Sequence, residues 1–162
     1  MKVKKGKEIE KSDIEFLEGE FVKVNQSTIR SVEGSHIELQ QVGALSIDGE
    51  KVDIIQGATV LLKGNEVNLN QSISTITAAD KVSINYSLSP VTISRENAVS
   101  NRSAVGIIAA KEIKSENTSA FLVIGNKVEG NITTLLDWKS ALAFGSVLGG
   151  LWGFFSLLMR KK

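Results

Sequence analysis

One apolar position recurs every fifteen residues along this chain. Beginning at Val22 it returns at Ile37, Val52, Val67, Val82, Ala98, Ile113 and Val128, with a single step of sixteen where the only proline, Pro90, sits. A unit this short cannot bury its apolar side alone, and a fixed step lets each unit be covered by the next.

Other columns keep the same register. Two residues after this marker stand Val24, Leu39, Ile54, Leu69 and Ile84, then Ser100, Ser115 and Gly130, with Lys23, Glu38, Asp53, Asn68 and Ser83 in between. Such an alternation suits a strand with one buried face. Five residues before the marker come Leu17, Val32, Ile47, Leu62, Thr77, Ile93, Ile108 and Val123, a second inward column. Three before it, Gly19, Gly34, Gly49, Gly64, Ala79, Arg95, Ala110 and Gly125 read as a turn made once per unit. Glycine accepts both positive φ and close backbone approach. A second turn draws on Gln26-Ser27, Gln56-Gly57, Gln71-Ser72 and Asn117-Thr118.

The spacing therefore predicts an all-β fold, a β-solenoid of about eight coils over residues 14–133 with parallel ladders ~4.8 Å apart. An antiparallel meander of hairpins is the other arrangement that fits the pattern. Ala98, Ser100 and Ser115 place small residues inside the last coils, which predicts an end that is thinner or supported by something else.

Two segments, Val32-Glu33-Gly34-Ser35-His36-Ile37 and Val128-Glu129-Gly130-Asn131-Ile132, resemble the V-x-G-N-I style of coil found in the bactofilins. These are bacterial cytoskeletal β-helical proteins that polymerise without nucleotide and sit on membranes. The likeness spans about Ile14 to Thr133, and it implies self-association next to a membrane. Membrane contact in that family resembles a short targeting segment, whereas this chain carries a long apolar C-terminus.

From Ser140 to Met159 run twenty residues without a charge. At 1.5 Å per residue a helix of that length crosses a hydrocarbon core of about 30 Å. Trp138 and Lys139 flank it on one side and Arg160, Lys161 and Lys162 on the other, as residues at membrane interfaces do. Ala141, Gly145, Gly149 and Gly153 repeat every four residues, a small-residue stripe that lets membrane helices pack closely. Residues 134–162 are thus expected to form a single membrane-spanning helix. The basic end Arg160-Lys161-Lys162 argues for a cytoplasmic C-terminus and repeats outside, whereas residues 1–13 are a basic, polar lead without the apolar stretch of a secretory signal, which favours the repeats on the cytoplasmic side.

Little in the sequence points to chemistry. Lys and Arg number 19 against 18 Asp and Glu, which gives no field to gather nucleic acid, and the absence of cysteine removes thiolate chemistry. His36 is the only histidine, in a mostly polar outward column with Lys51, Glu66 and Lys81. Glu38 and Asp53 align on one outward row, while Glu50-Lys51 and Asp80-Lys81 set opposite charges side by side on turns. No phosphate loop, dinucleotide fingerprint or zinc spacing occurs. No catalytic residue, cofactor or metal site is expected.

One outward column stands apart: Phe16, Ser31, Ser46, Leu61, Ile76, Thr92, Ile107 and Leu122. Leu61 and Ile76, and again Ile107 and Leu122, fall on adjacent coils, so these four residues form a candidate protein interface. The expected function is a non-catalytic, membrane-anchored scaffold that self-associates into an oligomer or filament, with membrane lipid and further copies as partners. The competing expectation is an accessory subunit that docks a larger membrane protein complex through a solenoid face.

Overall fold

A computed structural model describes residues 7–10 and 13–134. It shows one sheet whose eight strands follow chain order: β1 (Lys7–Glu10), β2 (Asp13–Asn25), β3 (Thr28–Gln40), β4 (Gly43–Ile55), β5 (Ala58–Asn70), β6 (Ile73–Asn85), β7 (Leu88–Asn101) and β8 (Ala104–Thr134). Every neighbouring pair is parallel, and the β2–β3 register sets Val22 on Ile37 and Val24 on Leu39. Strands that stack like on like at fifteen residues make a solenoid; the antiparallel meander is excluded.

Each coil has three sides of about five residues. Consecutive exposed residues mark two corners, Glu15-Phe16 and Glu20-Phe21 in β2, and the ladder register lapses at Glu15 and Glu20. The third corner is a residue with positive φ: Gln26, Gln41, Gln56, Gln71, Tyr86, Arg102 and Asn117. This is the second turn expected from the sequence. Stacking makes the cost of left-handed backbone bearable, because each corner amide donates to the coil above, as Gln26 N–H does to the Gln40 carbonyl at 2.9 Å.

The marker column is buried from Val22 to Ile113, as are its partners from Val24 to Ile84. Two further inward columns complete the core, one from Ile29 through Ala44 and Val105 to Ala120, the other from Ser27 through Val42 to Thr118. Inside, the middle coils turn polar. Thr77 donates to Ser74 Oγ at 2.8 Å, and Ser89 and Thr92 pair at the same distance, all four buried. At the corner, the amides of Gly57, Ser72 and Ser87 donate to Ser72, Ser87 and Ser103 Oγ of the next coil at 3.0–3.1 Å. Most buried hydroxyls are tolerable because they are paired in this way, the Ser115 hydroxyl being an exception. Ser100 and Ser115 lie inside with 0% and 3% exposure, and Thr118 donates toward Ser100. The small residues Ala98, Ser100 and Ser115 thus lie inside, as the sequence placed them.

Four sequence expectations need correction. The extra residue of the sixteen-residue step lies in β7 between Ser94 and Asn97, not at Pro90, because Ser94 still pairs with Ala79 while Asn97 pairs with Lys81. Thr92 (0% exposed) rather than Ile93 (51%) therefore faces inward, Val91 takes the outward place assigned to Thr92, and Ser94 replaces Arg95 in the glycine column. That column is not a positive-φ turn. Glycine is needed at Gly64 because a Cβ would stand 2.7 Å from the Gly49 carbonyl oxygen of the coil below. Finally, the solenoid begins before residue 14: β1 pairs with β2 and sets Ile9 on Val24.

Candidate functional site

The residues that sequence reasoning considered for chemistry lie on the outward ladders, where Glu38 sits directly across from Asp53, and most have a partner on a neighbouring coil. His36 is exposed and stacks on Phe21 with ring centroids 5.1 Å apart. Glu38 faces Lys23 at 3.6 Å, and Asp53 accepts from Asn68 Nδ2 at 2.7 Å. Lys51 meets Glu66 at 4.0 Å, and Asp80 meets Arg95 at 3.7 Å. Lys23–Glu38, Lys51–Glu66 and Arg95–Asp80 set opposite charges on neighbouring coils, which neutralise one another. Among the described residues no group of three His, Cys, Asp or Glu could hold a metal ion. In the last coil the Lys127 ammonium bonds Glu129 at 2.7 Å, which raises the lysine pKa and lowers that of the carboxyl.

The apolar strip is larger than one column. Leu61, Ile76 and Ile107 are 44%, 40% and 37% exposed, and Leu122 is half-buried. They run along the corner that two sides share. Val60 and Phe121 lie on the same corner, Ile73 and Leu88 on one side of it, Ile93 and Ile124 on the other, all exposed. Together they form an apolar ridge along the rod. Sequence reasoning missed these flanking columns because each alternates with an inward one, so only a settled register separates them.

Charge divides the ridge along its length. Its N-terminal part carries Asp13, Glu15, Glu18, Arg30, Glu33, Asp48 and Lys63, partly paired as Arg30–Glu15 at 4.0 Å and Lys63–Asp48 at 3.0 Å. Beyond Lys63 the four outward columns of the ridge, up to Ile124, contain no ionisable residue. The side bearing the outward residues of the marker strand is polar instead. A concavity of about 500 Å³ lies there, lined by Lys23, Glu38, Gln40, Asp53, Asn70 and Asn85 among others.

No family model, curated protein or solved structure matches this chain. The site is therefore read from its own geometry. Among the described residues no helix is long and apolar enough to cross a membrane. The expected span Ser140–Met159, its packing residues Ala141, Gly145, Gly149 and Gly153, and its flanks Trp138, Lys139, Arg160, Lys161 and Lys162 all lie outside the described residues.

Proposed function

We propose that this protein is a non-catalytic scaffold, a β-solenoid tethered to a membrane through residues 140–159 that self-associates into an oligomer or filament. The observation that carries this reading is the apolar ridge: a rigid rod with an exposed apolar strip is built to be covered by another macromolecule. A parallel ladder gives such a strip a fixed geometry, since each ridge residue is held by the coil on either side. Self-association at a membrane is also what the bactofilin-like coil style implies. Residues 140–159 supply the tether because they form the one long uncharged run in the chain.

A second reading, an accessory subunit that docks a membrane protein complex, is favoured by the polar concavity around Asp53 and Asn70. Its amide and carboxylate lining offers hydrogen bonds to a partner's backbone.

Two measurements test the first reading. Removal of Ser140–Lys162 should move the protein from the membrane pellet to the soluble fraction, and pelleting that survives a high-salt wash would sink the tether. Sedimentation of the full chain in detergent should give species larger than a monomer. A monomer at every concentration would sink the scaffold.

A further inference from the structure

Three surfaces are large enough to bind something: the polar concavity, the open end at the last coil, and the C-terminal half of the ridge. The charged groups of the first already pair with neighbours along the coils, Lys23 with Glu38 and Asp53 with Asn68. The second ends where the described residues end. The third carries an inference.

We infer that the uncharged half of the ridge pairs with the same half of a second copy of the chain. The inference rests on the self-association reading above and names the surface and the partner that reading leaves open. Self-pairing requires a patch that meets its own copy without stranding a charge, and from Ile73 to Ile124 the four ridge columns offer no ionisable group to strand. The exposed large side chains of this half, Ile73, Leu88, Ile93, Ile107, Phe121 and Ile124, fall on four successive coils and leave a continuous apolar strip to be covered.

A lipid surface is the poorer occupant. Segments that lie on membranes carry Lys or Arg beside Trp or Tyr, and this half of the ridge has no cation and only Phe121 as an aromatic. Copies tethered in one membrane also meet at raised effective concentration, so a modest interface suffices.

The charged half sets the limits of the pairing. Sliding one rod along another until the full lengths overlap would press Glu15, Glu18 or Glu33 against Ile93 or Ile124 and desolvate a carboxylate. Contact is thus confined to the coils from β6 onward.

The chain has no cysteine, so single cysteines report the contact cleanly. In the full chain, purified in detergent, Thr75→Cys mixed with Ser119→Cys should form a disulfide between two copies, because an antiparallel pairing sets the first coil of this half on the last, and Lys81→Cys mixed with Ser119→Cys should not. Ile73→Lys together with Phe121→Lys should raise the dissociation constant of the pair about tenfold or more. If that double variant fails to melt cooperatively, Thr75→Lys adds a charge at an exposed polar position without removing any apolar group and should weaken pairing likewise. Unchanged association in these variants, with no Thr75 crosslink, would overturn the inference and leave the scaffold reading standing. So would variants that lose only vesicle binding. A parent chain that is monomeric throughout would overturn both.

Discussion

The Ser94 hydroxyl lies 2.6 Å from the Asp80 carbonyl of the coil below and 2.9 Å from the Asn97 carbonyl across the bulge. It bridges the bulge that the sixteen-residue step leaves in the ladder.

Ser94→Ala should therefore destabilise the rod by about 1 kcal/mol, the net worth of an ordinary hydrogen bond, or somewhat more because a part-buried carbonyl loses its partner. Urea unfolding of the variant against the parent measures this. An unchanged midpoint would mean that the ladder around Ala79 and Lys81 holds the bulge without the serine.

The bulge also shows where sequence reasoning stops. The period, the marker column and the Gln turns were legible, because a buried strand face and a strained corner each restrict residue type strongly. A sixteen-residue step from Val82 to Ala98 says only that an insertion lies between them. Hydrophobicity then favours Ile93 for the interior, and Pro90 draws attention to the wrong turn. The chain does otherwise because the neighbouring coil has Thr77 at that position, and a Thr92 placed on it keeps both the register and a paired hydroxyl. The ridge was legible only as its Leu61 column. Membership of Ile73, Leu88 and Phe121 depends on which residues turn outward at a corner, and the sequence marks that corner weakly.

The polar interior can be tested directly. Thr77→Val removes the donor to Ser74 Oγ, a buried 2.8 Å bond, and should cost about 1 kcal/mol. Adding Ser74→Ala should recover much of the loss, since two apolar groups of similar shape leave no polar atom without a partner. A double-mutant cycle read by denaturant unfolding should show a coupling of about 0.5 kcal/mol or more between these positions. Additive losses would mean that the two hydroxyls act independently.

Glycine has different duties at two positions. A Cβ at Gly64 would stand 2.7 Å from the Gly49 carbonyl oxygen and 3.1 Å from Val67 Cγ2, whereas at Gly43 it would meet nothing within 4 Å. Neither glycine has positive φ. Gly64→Val should therefore cost more than about 2 kcal/mol by forcing adjacent coils apart, while Gly43→Ala should stabilise by up to about 1 kcal/mol through the unfolded chain. Melting temperatures that move in the same direction for both would refute the close-approach account of the glycine column.

The last prediction sets the core against the only histidine. Leu62 is fully buried between Ile47 below and Thr77 above, with no cation among these neighbours. Leu62→Asp would strand a carboxylate there, at a cost of several kcal/mol that approaches the whole stability of a small domain. The expected result is loss of cooperative melting near neutral pH. His36 is exposed, and its ring only stacks on Phe21, so His36→Ala should remove at most about 1 kcal/mol. It should also leave membrane attachment and association unchanged, since His36 lies outside the ridge. Circular dichroism melts and sedimentation of both variants decide the matter. A cooperative melt for Leu62→Asp would contradict the inward column, and loss of association in His36→Ala would move the interface to the Phe21–His36 corner.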